Sequence, residues 1–491
     1  MNKLALIILD GFGINEQTLE ENAIFQAKNK PHFDKLFGFQ KFTRLQASGK
    51  SVGIIDGFMG GSEVGHLTIG SGKIIKQNIL KINEKLYNSD FQEIYEYKEM
   101  IDYLEKTKNN LHITGMLGFE GVHSYQPHLY GLLKIIPKDI KVFLHIITDG
   151  RDSPIRASYE YLKQLLDFIK NFENVKVSSI SGRYFSMDRD NNWERIEKTY
   201  KAIIGENQTK LSPLEILEKN YKNGKYDEFI EPTSFSGSEN LKKDDVFLHY
   251  NFRSDRGTQL VKYIENQFGG DHIFTMTKFY DDFKGKYFIK KEEIQNTLSD
   301  ILSKNGFTQL HIAETEKFAH VTKFFNGLRT TKGNNEEFIL VPSHKIEGLY
   351  DKDPEMSAFE IFDVFKNEID KYDFFVINFA NGDLVGHAGV LEASIKAVET
   401  LDKIIGNIIK LCDKNNIDLL ITSDHGNCEK MGTKDNPCNS HTTNLVPFWY
   451  IKNSEIIKTK ESGGLANITP TILDILGIDK QKDMLESLLI K

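Results

Sequence analysis

The stretch LLITSDHGN, residues 419–427, is a short apolar run that ends in a carboxylate and an imidazole, those of Asp424 and His425. A run that is apolar throughout is typical of a strand in a parallel sheet covered by helices on both faces. In such sheets, ligands bind at the carboxyl ends of the strands. The stretch therefore predicts an α/β fold with a functional site that contains Asp424 and His425.

Two further apolar runs end in the same way, and they are far apart in the chain. LALIIL (residues 4–9) leads to Asp10, and FFVINF (residues 374–379) leads to Asp383, with His387 four residues further on. Because the carboxyl ends of parallel strands meet at one edge of a sheet, we expect these side chains to lie together. A domain built from such distant segments must be interrupted by a large insertion.

Two more residues complete a set of metal ligands. His441 lies in SHTTN (residues 440–444), and Ser62 lies in the glycine-framed segment GGSEVGH (residues 60–66). Aspartate, histidine and a hydroxyl are ligands that suit two divalent ions holding an activated serine.

Each of these features also has a simpler explanation. Asp10 could begin a turn, and Asp383 with His387 could be an i,i+4 side-chain pair. Ser62 could be the N-cap of a helix. We favour the metal site because a carboxylate at the tip of a buried strand otherwise lacks a partner.

The composition is that of a globular protein. The chain has 491 residues, of which 40% are hydrophobic and 27% charged, so it is long enough for two large domains or three small ones. The formal net charge of -8 argues against a nucleic-acid or anionic-membrane binder. It does not exclude local basic clusters that could bind a small anion.

The compartment is predicted from the cysteines and the first apolar run. The three cysteines form no CxxC pair, which indicates a reducing environment without a disulfide framework. The run at residues 4–9 is shorter than the core of a usual signal peptide and ends without a cleavage site. No run is long enough to span a membrane. We therefore predict a cytoplasmic protein.

The middle of the chain has its own strand ends, and these carry arginine. Apolar runs lead to GVHS, TDGRD, SGRYFSMDRD and NFRSDR, which deliver His123, Arg151, Asp152, Arg183, Arg189, Arg253 and Arg256. The planar fork of arginine binds carboxylates and phosphates with two parallel hydrogen bonds. The two outer segments of the chain thus contain candidate metal ligands and a nucleophile, and the middle contains candidate anion-binding residues. Phosphoryl transfer needs both.

Several long motifs follow one another along the chain in a characteristic order. They are GGSEVGH, DGRDSP, GRYFSMDRDNNWER, NFRSDR, AETEKFAHVTKFFNG, PEMSA, NFANGDLVGH, SDHGNCEKMG and SHTTNLVPF. Together they resemble the cofactor-independent phosphoglycerate mutases of the alkaline phosphatase superfamily, over nearly the whole chain.

The resemblance implies an architecture and an activity. Residues 1–74 and 308–491 would form a phosphatase-like, parallel-sheet α/β domain that binds metal, and residues 75–307 an inserted phosphotransferase domain. The activity would be the interconversion of 3-phosphoglycerate and 2-phosphoglycerate in glycolysis and gluconeogenesis. It would proceed through a phosphoserine on Ser62, without 2,3-bisphosphoglycerate, in a monomeric enzyme.

The resemblance also assigns roles to individual residues. One of two divalent ions, usually manganese, would be held by Asp383, His387 and His441. The other would be held by Asp10, Ser62, Asp424 and His425. Substrate would be bound by His123, Arg151, Asp152, Arg183, Arg189, Arg253, Arg256 and Lys317. Ser62 would be the nucleophile, Lys317 a compact charge for a phosphate oxygen, and Asp152 the proton carrier.

The chain departs from the family pattern near the nucleophile, where Gly61 replaces the usual asparagine. The GFEG segment (residues 118–121) before His123 replaces a usual Ser-Asp-Gly run.

Three other functions fit less well. A phosphopentomutase uses a threonine nucleophile and a different cap. A simple phosphatase passes the phosphoryl group to water and needs no arginine-lined domain. A non-catalytic binding protein would have lost at least one metal ligand.

Overall fold

The structure is a computed structural model that describes residues 3–38 and 41–490. The chain forms two compact units. Unit 1 comprises residues 1–76 and 293–491, and unit 2 comprises residues 77–292. Unit 1 is therefore assembled from two segments that are distant in sequence, whereas unit 2 is continuous.

Strands and helices alternate along most of the chain. The strands are β1 (Lys3–Leu9), β2 (Thr43–Gln46), β3 (Leu111–Met116), β4 (Val142–Thr148), β5 (Val175–Gly182), β6 (Gln208–Thr209), β7 (Thr233–Phe235), β8 (Val246–His249), β9 (Ile273–Thr277), β10 (Lys286–Ile289), β11 (Gln309–Glu314), β12 (Glu336–Val341), β13 (Phe374–Phe379), β14 (Ile417–Thr422), β15 (Gly432–Thr433), β16 (Asn436–Pro437), β17 (Val446–Lys452), β18 (Glu455–Ile457) and β19 (Ser462–Gly464). The α-helices are α1 (Ala23–Gln26), α2 (Pro31–Gly38), α3 (Ser62–Ser71), α4 (Asn78–Tyr87), α5 (Tyr95–Thr107), α6 (Gln126–Ile135), α7 (Ala157–Ile169), α8 (Arg183–Ser186), α9 (Trp193–Ile203), α10 (Pro213–Lys222), α11 (Thr258–Phe268), α12 (Leu298–Lys304), α13 (Ala358–Glu368), α14 (Asn381–Gly386), α15 (Leu391–Lys414) and α16 (Ile468–Leu476).

In the part of unit 1 that the structure describes, the core is a nine-stranded sheet in the order β12-β11-β13-β1-β14-β17-β2-β19, with β18 paired to β17. The first five strands in this order are parallel, and β17 runs antiparallel to β14. The three apolar runs identified in the sequence are β1, β13 and β14, which lie side by side. Their carboxyl ends therefore meet at one edge.

The sheet of unit 1 is buried on both faces, as continuous apolar strands require. Along β1, Ala5 and Ile7 belong to one hydrophobic core, and Leu4 and Leu6 belong to a second core. Successive side chains of a strand point to opposite faces, so the two cores lie on the two sides of the sheet.

Unit 2 has an eight-stranded sheet in the order β10-β9-β8-β3-β4-β5-β7-β6. The six strands from β10 to β5 are parallel, and β7 is antiparallel to β5. The α/β architecture with parallel-sheet cores that the sequence predicts is confirmed.

The second crossing between the units lies earlier than the sequence suggested. Residues 293–307, expected in the insertion, belong to unit 1. The reason is packing, because Leu298, Ile301 and Leu302 of α12 lie in the same core as Leu4 of β1.

The described residues contain no helix that is both long and apolar enough to cross a bilayer. Cys412, Cys428 and Cys438 are all free thiols.

Candidate active site

The parallel strands of unit 1 place ionisable side chains at one edge of the sheet. Asp10 follows β1, Asp383 lies on α14 just after β13, and Asp424 and His425 follow β14. Lys317 ends a short 3-10 turn after β11. All five side chains are buried, with at most 4% of each residue exposed.

Asp383, His387 and His441 form the first metal group. Asp383 Oδ1 lies 3.2 Å from His387 Nε2 and 3.1 Å from His441 Nε2, and the two imidazole nitrogens are 3.1 Å apart. A point about 2.1 Å from all three atoms exists, which is the distance at which divalent ions bind nitrogen and oxygen.

The histidines of this group are oriented as metal ligands usually are. Nδ1 of His387 donates to the carbonyl of Asn439 at 2.7 Å, and Nδ1 of His441 donates to the carbonyl of Gly60 at 2.9 Å. Each ring therefore points Nε2 toward Asp383, where a cation can take the place of a proton on that nitrogen. A backbone partner on the other ring nitrogen is the common support of a ligating histidine.

Asp10, Ser62, Asp424 and His425, which were predicted to hold the other ion, are called the second metal group. Ser62 Oγ lies 3.1 Å from Asp10 Oδ1 and 2.9 Å from His425 Nε2, and His425 Nε2 lies 3.3 Å from Asp10 Oδ1. Asp424 Oδ2 is 3.6 Å from His425 Nε2. This oxygen is buried, accepts no hydrogen bond and lies 3.2 Å from Nδ1 of His66, so it is available to bind a cation.

Lys317 links the two metal groups. Its Nζ lies 2.7 Å from Ser62 Oγ, 2.9 Å from Asp10 Oδ1 and 2.7 Å from Asp383 Oδ2. Burial lowers the pKa of Lys317, but the charges of Asp10 and Asp383 outweigh it and raise that pKa. The ammonium group is therefore charged and lies beside the hydroxyl oxygen of Ser62.

The carboxylates shift the pKa values of the neighbouring histidines upward. Burial alone would lower the pKa of His425, but the charge of Asp424 and a hydrogen bond with Asp10 raise it to about 10. A hydrogen bond with Asp383 raises the pKa of His387. A site that attracts protons onto buried imidazoles also attracts metal cations, which compete for the same nitrogens. The residues of both groups thus fit divalent ions.

The backbone around Ser62 is closely packed. Ser62 is the first residue of α3 and Gly61 is its N-cap, so the alternative of a Ser62 cap is wrong. A Cβ on Gly65 would lie 2.7 Å from the carbonyl oxygen of Asp424, so this position requires glycine. A Cβ on Gly61 would lie 3.6 Å from the ring of His441, an ordinary contact. The glycine at 61 is not needed for space.

In unit 2, Arg183 is the centre of a cluster at the carboxyl ends of β4 and β5. One of its guanidinium nitrogens, Nη1, lies 2.5 Å from Asp149 Oδ1 and 2.6 Å from Asp152 Oδ2. Nη2 lies 3.3 Å from His123 Nε2. Asp149 Oδ1 also accepts the backbone N–H groups of Arg151 and Asp152, each at 3.3 Å. Asp149 therefore fixes both the loop and the guanidinium.

The same cluster extends to the end of β8 through Asp255. Its carboxylate lies 3.6 Å from His123 Nδ1, 3.5 Å from Arg189 Nη1 and 3.3 Å from Arg253 Nε. Burial and then the charge of Arg183 lower the pKa of His123 to about 4, so this ring is neutral at pH 7.

Two predicted substrate residues lie at the margin of this cluster. The side chain of Arg151 is half exposed and faces Glu228, with 3.8 Å between Nε and Oε1. Arg256 donates to the carbonyl of Met187 at 3.3 Å. Burial and the charge of Arg189 lower the pKa of Arg256.

Five residues of these clusters were missed from the sequence. Asp149 and Asp255 lie in motifs that were recognised, DGRD and FRSDR, and each was overlooked beside an arginine. His66, Asn378 and Asn427 contact the proposed metal ligands from helix, strand and loop, and nothing in the sequence pattern marks them. The histidines predicted to be core residues, His112, His145 and His249, are buried as expected.

Comparison with known proteins agrees with this geometry. The family model described as the metalloenzyme superfamily matches residues 2–480. The 2,3-bisphosphoglycerate-independent phosphoglycerate mutase of Sulfurimonas denitrificans is 41% identical over 498 residues, covering 99% of this chain and 99% of its own length. That of Clostridium acetobutylicum is 41% identical, covering 98% and 97%.

A solved structure shows the same fold. The phosphoglycerate mutase of Leishmania mexicana, determined at low cobalt concentration, superposes with a TM-score of 0.73 at 26% identity. The match covers 99% of this chain and 97% of that one. With its metal-ligand geometry and with relatives matched over nearly their whole length, the chain belongs to the family of 2,3-bisphosphoglycerate-independent phosphoglycerate mutases.

Proposed function

We propose that this enzyme interconverts 3-phosphoglycerate and 2-phosphoglycerate by passing the phosphoryl group through Ser62. The observation that carries the proposal is the environment of Ser62 Oγ. It lies within 3.1 Å of a lysine ammonium, an imidazole and a carboxylate, on a helix N-terminus. A hydroxyl so placed is an activated nucleophile, and a helix N-terminus favours the phosphate that it would carry.

Two divalent ions, with manganese the first choice, would be held by the two metal groups. When bound, such ions stabilise a deprotonated serine oxygen and the charge of a phosphoryl group. Asp383, His387 and His441 would hold one ion. Asp10, Ser62, Asp424 and His425 would hold the other.

The proposed reaction has two balanced steps. In the first, Ser62 Oγ gives up its proton and forms a bond to phosphorus, and the bond between phosphorus and the glycerate oxygen breaks. That oxygen takes a proton and becomes a hydroxyl. In the second step the other glycerate hydroxyl loses its proton and attacks the phosphoserine, and the bond between phosphorus and Ser62 Oγ breaks as that oxygen takes a proton back. Lys317 donates a hydrogen bond to Ser62 Oγ and remains beside it as a fixed positive charge.

The residues of unit 2 are proposed to bind substrate and move its proton. Arg183, Arg189, Arg253 and Arg256, together with Arg151 and His123, would bind the carboxylate and phosphate oxygens. Asp152 would carry the proton between the two glycerate oxygens. Its side chain is 23% exposed and is held by Arg183 at 2.6 Å, so it is both accessible and fixed.

We further propose that the enzyme acts in the cytoplasm as a monomer and without 2,3-bisphosphoglycerate. The unpaired cysteines support a reducing compartment. A phosphoserine route supports independence from the bisphosphate, because the enzyme itself carries the phosphoryl group.

Ser62→Ala tests the mechanism. We expect the variant to lose mutase activity by about 10³-fold or more while it keeps its fold, because the covalent step has no substitute. The assay couples formation of 2-phosphoglycerate to enolase, with Mn²⁺ and no bisphosphate. Ser71→Ala, a buried serine of the same helix, is the matched control. Turnover by Ser62→Ala close to that of the control would contradict the mechanism.

A further inference from the structure

Two fully buried polar side chains, those of Asn378 and His66, lie behind the second metal group. Asn378 Nδ2 is 2.8 Å from Asp10 Oδ2 and 3.0 Å from His66 Nε2. His66 Nδ1 is 2.9 Å from the carbonyl oxygen of Ser62. The three contacts form an unbroken chain of hydrogen bonds from Asp10 to Ser62, and both side chains are 0% exposed.

The chemistry of the two ends fixes the direction of every hydrogen bond. An amide nitrogen can only donate, so Asn378 Nδ2 donates to the carboxylate oxygen Asp10 Oδ2. The same amide nitrogen then donates to His66, whose Nε2 must accept. The proton of His66 therefore lies on Nδ1, which faces two acceptors, the carbonyl oxygen of Ser62 at 2.9 Å and Asp424 Oδ2 at 3.2 Å.

The position of Asn378 argues against a simple core role. It lies within β13, in line with Phe374 and Val376 on the same face, and both of these belong to a hydrophobic core. An apolar residue would be expected there, since a buried polar group stabilises nothing unless it is paired. Its partner is Asp10.

We propose that Asn378 and His66 are positioning residues, the Asn378–His66 relay, which hold Asp10 and the backbone of Ser62 in the geometry that binds the second metal ion. The inference rests on the proposed function only in taking Asp10 and Ser62 as metal ligands. Asn378 holds Asp10 Oδ2 and leaves Oδ1 facing Ser62 and His425. Support of this kind around a metal ligand commonly changes affinity by about 10- to 100-fold.

The first metal group has a separate support. Asn427 Nδ2 donates to Asp383 Oδ1 at 3.0 Å, and His387 and His441 are held by backbone carbonyls. Among the described residues, Asn378 and His66 make no hydrogen bond or ion pair with Asp383, His387 or His441. The two sites can therefore be weakened independently.

The test measures Mn²⁺ binding to metal-free protein, in the absence of substrate, by calorimetry and by electron paramagnetic resonance. In a His387→Ala background, which removes a ligand of the first site, the remaining Mn²⁺ reports on the second site. We expect Asn378→Leu to weaken that binding by about 10- to 100-fold. In the otherwise native protein, Asn427→Ala should weaken the first site and leave the second unchanged.

Two variants of His66 separate positioning from packing. His66→Gln can still accept from Asn378, whereas His66→Asn retains only the donor toward Ser62. We expect the Gln variant to bind Mn²⁺ at the second site more tightly than the Asn variant, by about tenfold, with both folded by circular dichroism. Equal affinities, or wild-type affinity in Asn378→Leu, would overturn the relay.

The outcomes also distinguish the relay from the proposed function. The expected Mn²⁺ pattern in a protein without mutase activity would remove the proposed function and leave the relay. If the protein has mutase activity but every relay variant binds Mn²⁺ with unchanged affinity, the relay is contradicted and the proposed function stands.

Discussion

Units 1 and 2 share one architecture but place opposite charges at their strand ends. Both are parallel sheets covered by helices, and both gather ionisable side chains where adjacent strands finish. In unit 1 these are carboxylates and imidazoles around a single lysine, and in unit 2 they are guanidinium groups braced by carboxylates. The fold fixes where a ligand binds, and the side-chain charge decides whether that ligand is a cation or an anion.

The pKa values of buried histidines differ between the two units in the same way. In unit 1, burial lowers the pKa of His425, but the negative charge of Asp424 outweighs burial and the pKa is raised to about 10. In unit 2, burial and Arg183 lower the pKa of His123 to about 4, and burial lowers that of His249 to about 3. A buried histidine is thus informative about metal only when carboxylates surround it.

The largest effect is expected from removing the lysine of the unit 1 site. Lys317→Met leaves Asp10 and Asp383 buried without their partner, which should lower the free energy of unfolding of metal-free protein by about 3 kcal/mol. Added Mn²⁺ should recover most of the loss, because it binds only the folded protein. Denaturant unfolding with chelator and with Mn²⁺ measures both values. An equal loss in both conditions would contradict the comparison, and Lys304→Met on the surface is the control.

A substitution in the arginine cluster of unit 2 should lower substrate turnover and leave metal affinity unchanged. Arg183→Lys keeps the charge but cannot bind Asp149, Asp152 and His123 together, because an ammonium group lacks the planar fork. We expect kcat/KM to fall by about 10- to 100-fold, or about 1.4 to 2.7 kcal/mol. Mn²⁺ affinity should stay within error of the wild type. A parallel fall in Mn²⁺ affinity would mean that the two clusters do not have separate roles.

Metal affinity should increase with pH in the neutral range. The raised pKa of His425 means that its proton must leave before a metal ion can bind, so metal and proton compete. Below pH 10, each unit of pH should raise the apparent Mn²⁺ affinity by about tenfold for each proton displaced. Calorimetry in buffers of different ionisation enthalpy counts the protons released. A flat profile between pH 6 and pH 8 would show that His425 is not displaced.

The raised pKa of His425 has the opposite effect on the stability of the metal-free fold, which decreases as pH rises. Because the folded-state pKa of His425 is above its ordinary value, protonation stabilises the folded chain at low pH, and this contribution is lost as pH rises through about 10. Chelated and Mn²⁺-loaded protein should therefore respond to pH in different directions.

The smallest effect is expected at Gly61. Its backbone is extended, with φ of −165°, and a Cβ would meet only the ring of His441 at 3.6 Å. Gly61→Asn restores the residue usual in the family and should change kcat by no more than about threefold. Gly65→Ala is the matched contrast, because its Cβ would collide with Asp424, and it should be far less active. Similar losses in both variants would show that space at Gly61 is also restricted.

The sequence predicted the parts of the site that depend on one element at a time. Asp10, Asp383 and Asp424 each follow an apolar run, and the parallel-sheet rule alone brings them together. Asn378 could not be found in this way, because its role depends on two tertiary partners, Asp10 just after β1 and His66 on α3. The crossing at residue 292 was misplaced for a similar reason, since α12 belongs to unit 1 only through its tertiary packing.

The position of β1 has a consequence for synthesis of the chain. This strand pairs with β13 on one side and β14 on the other, so its sheet cannot close until residue 422 has left the ribosome. Unit 2 is continuous and can complete its own sheet much earlier. For most of translation, LALIIL is therefore an apolar segment without a partner strand, of the kind that promotes aggregation. Protection of the nascent chain matters most at this segment.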